Sequence, residues 1–518
     1  MQLADYVIRA AANFPEKTAL LCETEQINYK DLNNLLLSFC GGLLSLGLQP
    51  GERVAILLNN SIEYVASYFG TMQAGLVAVP LNRATTAKRL AYVLHDCNIR
   101  AIVFESGITG LVESALTTIS LPVYKIVVGK EIMQQSGKNP VLPWNHFLVS
   151  GEKETTAPPR DPEEIAVILY TSGTTGDPKG VMLSHRNLIS NTESIISYLH
   201  LEPGDRVMSI LSFNYSYGNS LLLTHMAAGG SVVVDNRFAF PNVVLQRMLE
   251  TEVTGFSGVP STFAFLLHKS IFRKMKFPKL RYVTQAGGAM PPAVIKELQK
   301  VLPKTKIYIM YGQTEAGARL SYLEPENLKK KLGSIGKAIP GVRLRVLKPD
   351  GTQATAREVG EIVAEGDNIM IGYWGSETET AKVLKEGRLY TGDLAWQDEE
   401  GFFYIVGRKK DIIKCAAYRI SPKELEDLLM ASGFLVEVAV IGVEDGLLGE
   451  AIKVCAVLEG GRQETAEDII NYCKANLSPY KIPKHVSFYD TLPKTHTGKI
   501  KKDELKKAST PVSEVPAK

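Results

Sequence analysis

Tyr170 to Leu188 reads YTSGTTGDPKGVMLSHRNL and follows the apolar run Ile165 to Leu169. Glycines at 173, 176 and 180 let backbone N–H groups approach an anion, the hydroxyls of Ser172, Thr174 and Thr175 add donors, and Lys179 adds a positive charge. That combination suits a polyphosphate. It is not the Walker pattern GxxxxGK[ST], because Gly180 follows Lys179 where a hydroxyl would hold magnesium. The plainer alternative for such a stretch, held as the lesser reading, is a flexible surface loop.

Three further stretches carry chemistry: YGQTEAG at Tyr311 to Gly317, YTGDLAWQDEEGFFYIVGRKKDIIK at Tyr390 to Lys414, and PKTHTGKI at Pro493 to Ile500. When an anionic nucleophile attacks a polyphosphate, two anions meet while negative charge builds at phosphorus. Positioning and cations must then do most of the catalysis. Glu315 suits magnesium, which takes few carboxylates and fills its shell with phosphate oxygens and water, while Thr314 can donate to a phosphate. Asp393 lies in a glycine-marked turn, where a carboxylate can accept from both ribose hydroxyls. Taken singly, Glu315 reads as a solvated turn carboxylate, Asp393 as a turn former and Lys499 as one lysine of a basic tail.

Together the four ordered stretches resemble the AMP-forming adenylating enzymes, the family of acyl-CoA synthetases, firefly luciferase and nonribosomal adenylation domains. The resemblance runs from AGLVAVPLN at Ala74 to Lys499. It implies ATP and Mg2+ as cofactors, with Thr171, Ser172, Gly173, Thr174, Thr175, Gly176 and Lys179 around the phosphates. It places Gly287, Gly288, Ala289, Tyr311, Gly312 and Gln313 around adenine, Asp393 and Arg408 on the ribose, and Glu315 on the metal. By the same resemblance Lys499 bridges the substrate carboxylate and the α-phosphate, as a mobile point charge can. Lys410 falls at the family hinge. Rotation there would withdraw Lys499 and bring KCAAYRI, including Cys415, Ala416 and Ala417, against the adenylate as a channel for the thiol of CoA or of a carrier-protein phosphopantetheine. Cys415 reads as a small channel-side residue, since the acceptor thiol is external.

Two departures from the family stand out. Ala417 occupies a place where glycine is usual beside the thiol channel, and its methyl narrows a close approach. In LSFNYSYGNS, Phe213, Asn214, Tyr215 and Gly218 form the expected acid-binding segment, and Asn214 stands where amino-acid-activating relatives present Asp. An amide cannot neutralise a substrate ammonium, so a fatty, aryl or other uncharged-tail acid is expected. The plainer role for Asn214 is to cap a turn.

The elements that must position these residues follow from hydrophobic spacing. Val54 to Pro80 reads as strand, helix and strand, one βαβ unit. Similar strands are expected at Ala101 to Phe104, Ser209 to Leu211, Ser231 to Val234 and Arg281 to Thr284, with a helix at Pro291 to Val301. Beyond about Val342 short alternating strands take over, and Asp350-Gly351 signals a hairpin. The helix beginning at Ser421 shows a cap, a proline at its first position and Glu424 three residues after the cap. The expected fold is α/β: a large N-terminal domain (1–409) of α/β subdomains plus a small β-rich subdomain, a small mobile α+β C-terminal domain (410–508), and a disordered tail (509–518). No internal repeat is visible.

The chain has 518 residues, 58 basic and 55 acidic, for a formal charge of +3. That balance supplies no net field for nucleic acid or an anionic membrane. Six scattered cysteines without CxxC pairing argue against disulfides or zinc. No signal peptide or spanning stretch is read, so a cytoplasmic monomer or homodimer is expected. The leading expectation is an acyl-CoA synthetase acting through acyl-AMP. Competing ones are a standalone enzyme that loads an acyl carrier protein, a luciferase-like oxygenase, and a non-catalytic nucleotide-binding module, which has no need for Lys499.

Overall fold

A computed structural model describes residues 1–119, 122–130, 139–150, 161–171, 178–416, 418–446, 448–495 and 498–507. Within them the strands fall into two large, largely parallel sheets and two small, largely antiparallel ones. The βαβ unit is strand Arg53–Leu57, helix Ile62–Gln73 and strand Val77–Pro80, with the strands parallel from Arg53 opposite Val77 to Ile56 opposite Pro80. Ser61 caps that helix by accepting from the Tyr64 N–H. Both faces of the sheet are covered, so its strands are continuous apolar runs, as in VAIL and VAVP.

The expected strand at 231–234 is found as Ser231–Val234, and those at 101–104 and 281–284 as Ile99–Glu105 and Tyr282–Gln285. The strand expected at 209–211 lies earlier, at Arg206–Ser209, because Ile210 to Ser212 must leave the sheet to form a cleft wall. The helix Pro292–Val301 is as expected. Asp350-Gly351 forms a tight turn in the hairpin of Val342–Leu347 and Gly360–Gly366, with Gly351 at φ +84° and Asp350 accepting from the Thr352 N–H.

One local expectation is corrected. Ser421 precedes the helix Pro422–Ala431 but makes no side-chain cap; its hydroxyl donates to the Val406 carbonyl. The competing acceptor lies on the neighbouring strand Phe403–Arg408, so the hydroxyl ties the two segments together. Glu424 pairs with Lys481 instead of closing a capping box. Between Arg408 and Ile413 the chain passes from one small sheet to the other, built on the long antiparallel pair Leu435–Asp445 and Gly449–Leu458. The tail expected to be disordered lies outside the described residues.

Candidate active site

Strands Arg206–Ser209, Gly255–Gly258, Tyr282–Gln285 and Lys306–Tyr311 are parallel neighbours. The residues just past their carboxyl ends, Ile210, Val259, Ala286 and Gly312, line one cleft. Ligand sites in open α/β sheets form at such strand ends. Residues of the last sheet, including Val438 and Phe488, close the cleft from the other side. It encloses about 2170 Å³, against roughly 300–1,000 Å³ for an ordinary single-ligand site. A nucleotide and a second substrate fit together.

On one wall Asp393 sits cross-strand from Arg408. Arg408 Nε lies 2.8 Å from Asp393 Oδ1, and the Tyr311 hydroxyl donates to Oδ2 at 2.7 Å. Burial, reinforced by the Asp393 charge, holds the Tyr311 phenol well above its usual range, so it stays a donor. Gly287, at φ +86°, turns the chain sharply beside this wall, and Gln285 Nε2 donates to the Gly288 carbonyl at 2.8 Å. Gly287, Gly288, Ala289, Gly312 and Gln313 all line the cleft. At Gly312 a Cβ would stand 2.0 Å from the Ala318 carbonyl oxygen, so only glycine fits.

Thr314–Ala316 form a single 3-10 turn. The Tyr373 hydroxyl donates to Glu315 Oε1 at 2.9 Å, and the Met370 N–H holds the Glu315 carbonyl at 2.9 Å. The Thr314 hydroxyl lies 3.4 Å from that of Ser216. Lys179 opens the strand opposite Thr171, and both line the cleft. Lys179 pairs with Glu379 at 2.5 Å and lies over the Tyr373 ring. Ser172, Gly173, Thr174, Thr175 and Gly176 lie outside the described residues.

Lys499 reaches this cleft from the far end of the chain. The Thr495 N–H donates to the Lys499 carbonyl at 2.7 Å and the Gly498 N–H to that of Thr495 at 2.9 Å, closing a tight turn. Gly498, at φ +79°, docks that turn on the large domain, where the Ser261 hydroxyl donates to its carbonyl at 3.3 Å. Lys499 lines the cleft together with Arg408, Asp393 and Glu315, whose charges act on its ammonium. Its side chain keeps contact with solvent while the cleft walls surround it. Desolvation, with the Arg408 charge second, holds its pKa below the usual lysine value.

Asn214, Tyr215, Gly218 and Lys410 also line the cleft. Asn214 accepts from the Ser212 hydroxyl, and Tyr215 accepts from Asn82 at 2.8 Å. Phe213 does not reach the cleft: it is fully buried and packs on Tyr64, supporting the wall from behind. Cys415 and Ala416 are outside it as well. Cys415 is buried opposite Gly449, its thiol raised by burial, and Ala416 sits at φ +52° on the surface. Ala417 lies outside the described residues. Residues that the motifs do not reveal are Tyr373, Glu379 and Arg319, while Ser216 falls inside LSFNYSYGNS with no role assigned to it there. GYW at 372–374 and the two residues after TEAG were their only sequence signals.

The AMP-binding enzyme model matches residues 7–374, and the AMP-binding enzyme C-terminal domain model matches 424–499. A long-chain-fatty-acid–CoA ligase of Bacillus subtilis (strain 168) is 32% identical, over 97% of this chain and 93% of its own length. A feruloyl-CoA synthase of Amycolatopsis sp is 30% identical over 98% of both. The crystal structure of the anthranilate CoA ligase AuaEII in complex with anthranoyl-AMP superposes with a TM-score of 0.90 at 26% identity, covering 98% of this chain and 97% of that one. Fold, strand-end cleft and these matches agree: the chain belongs to the AMP-binding enzyme family. It is an AMP-forming acid–thiol ligase. Among the described residues no helix is long and apolar enough to cross a membrane.

Proposed function

We propose that the cleft makes an acyl-adenylate from ATP and an organic acid lacking an ammonium group, with Lys499 bridging the acid's carboxylate and the α-phosphate. The carrying observation is that Lys499, from near the C-terminal end of the chain, lines one cleft with Arg408, Asp393 and Glu315. Each side chain then has one task. Asp393, held by Arg408 and Tyr311, keeps lone pairs for the ribose hydroxyls. The Gly287 turn and Tyr311 take the flat base. Glu315, steadied by Tyr373, would hold magnesium, which would supply charge neutralisation at the phosphates. Thr314 donates to a phosphate. Lys179 leaves Glu379 for the β- or γ-phosphate, an exchange an exposed pair permits at small cost.

In our reading acyl transfer to CoA uses a second arrangement, because Cys415 and Ala416 do not line the cleft that holds Lys499. We place the pivot at Lys410, where the chain changes sheets, and the domain division beside it. Rotation exchanges the Lys499 turn for the segment 414–420, and the buried thiol of Cys415 stays a bystander. The acceptor is settled by offering purified enzyme, ATP and a competent acid either CoA or a phosphopantetheinylated carrier protein. Thioester on CoA is expected; thioester on the carrier alone overturns the CoA assignment.

The test of the adenylation reading is acid-dependent ATP–pyrophosphate exchange across short, long-chain, aryl and amino acids. Exchange with at least one non-amino acid is expected, and none with α-amino acids, since the Asn214 amide offers no charge to an ammonium. Exchange driven only by amino acids would falsify the assignment.

A further inference from the structure

Arg319 follows the YGQTEAG segment by two residues and lines the cleft, yet it is only 2% exposed. Among the described residues the groups that contact its guanidinium are neutral. It lies 4.1 Å from the Tyr217 ring centroid; Nε approaches the Met310 sulfur at 3.3 Å, one terminal nitrogen the Ala318 carbonyl at 3.2 Å, and the other the Ser220 hydroxyl at 3.5 Å. The Tyr198 phenol is a further neutral partner. Among the described residues no carboxylate pairs with it. A buried cation without a counter-charge is costly, and cation–π contact with one ring offsets only part of that cost.

The missing charge has one evident source, the ligand of the cleft that Arg319 lines. Helix Ser216–Ala228 sets the scale. Ser216, beside Thr314, marks the reacting end, and Ser220, beside Arg319, lies four residues on, about 6 Å at 1.5 Å per residue. The Tyr217 ring lies between these marks, its hydroxyl bonded to Thr284 at 2.8 Å and so facing away from the guanidinium.

Resting on the adenylation reading above, we infer that the acid activated here is short and carries a second carboxylate, which Arg319 receives at the inner end of the acyl site while the first is adenylated near Thr314 and Lys499. Asn214 alone suggests an uncharged tail; Arg319 alters that expectation and adds a second reason why an ammonium is rejected. The guanidinium fork matches a carboxylate with paired hydrogen bonds, which a hydroxyl or ketone cannot reproduce.

The experiment measures pyrophosphate exchange with four- to six-carbon dicarboxylic acids, their monoamides, and monocarboxylic acids of equal length. The dicarboxylic acids should exceed both analogues in kcat/KM by on the order of ten- to a hundredfold, as for one charge-assisted contact. Arg319→Met should abolish that preference by raising KM for dicarboxylic acids far more than for monocarboxylic acids, and Arg319→Lys should restore part of it. Equal use of dicarboxylic and monocarboxylic acids by the unaltered enzyme, a preference for fatty or aryl acids, or an equal loss for every acid in Arg319→Met, each overturns the inference while leaving adenylation intact. Should Arg319→Met not fold, the preference of the unaltered enzyme decides alone. No exchange with any acid defeats the adenylation reading itself, and this inference with it.

Discussion

The two halves of the cleft are built on opposite electrostatic plans. On the nucleotide side the charged groups already have partners: Arg408 pairs with Asp393, Lys179 with Glu379, and the Tyr373 phenol donates to Glu315. On the acid side the walls are amide, phenol and glycine, and the buried cation Arg319 has only neutral company. A substrate that many enzymes share can be met by a pre-paired network that merely loosens to admit it. A substrate peculiar to one enzyme is selected by what is left unpaired, because an unsatisfied buried group penalises every ligand that fails to answer it.

The largest expected effect breaks the nucleotide half. Lys499→Ala should lower adenylation by on the order of 10²–10³-fold, the loss typical of one preorganised charge-stabilising group. Thioester formation from supplied acyl-AMP should survive, and parallel loss of both half-reactions would sink the role given to Lys499. The same lysine predicts a pH signature: its lowered pKa means the charge is lost earlier as pH rises, so kcat/KM for adenylation should decline below the usual lysine value of about 10.4. Lys499→Arg should move that decline upward.

Two glycines sharpen the comparison with equal force on each side. A Cβ at Gly312 would meet the Ala318 oxygen at 2.0 Å, and one at Gly218 the Ser212 oxygen at 2.1 Å. Either change to alanine should cost about 1–3 kcal/mol by thermal or denaturant unfolding. Gly312→Ala should chiefly raise KM for ATP and Gly218→Ala KM for the acid; the reverse pattern would undo the division into halves. Asp393→Asn comes next, raising KM for ATP about tenfold, the value of a charged hydrogen bond, with acid preference unchanged. Smallest is Glu379→Gln. It releases Lys179 from an exposed pair and should lower KM for ATP by no more than about threefold.

Much of the nucleotide half was legible in the linear chain because its residues must sit on tight turns, and tight turns leave short signatures. Gly312 next to Thr314 and Glu315, or Gly392 next to Asp393, are local requirements of backbone and ligand together. Even so, the spacing of motifs said nothing of Tyr373, whose value lies in reaching Glu315 from a strand 58 residues away. Phe213 shows the opposite failure. Adjacent to Asn214 in sequence, it points into the core, since neighbours in a chain face different ways and only one of them can form the wall. Ser421 had the residue pattern of a cap, yet a carbonyl on another strand competed for its hydroxyl.

By itself the order of residues determined the α/β class, the strand–helix units and the chemistry of activation, because hydrophobic period and glycine-marked turns act over a few residues. Only the tertiary structure decided what meets across distance. It brought Lys499 against Arg408 and Glu315 while leaving Cys415 outside, and it buried Arg319 among neutral partners. A charge is costly or harmless according to what surrounds it, and those surroundings are assembled from segments that the chain keeps apart.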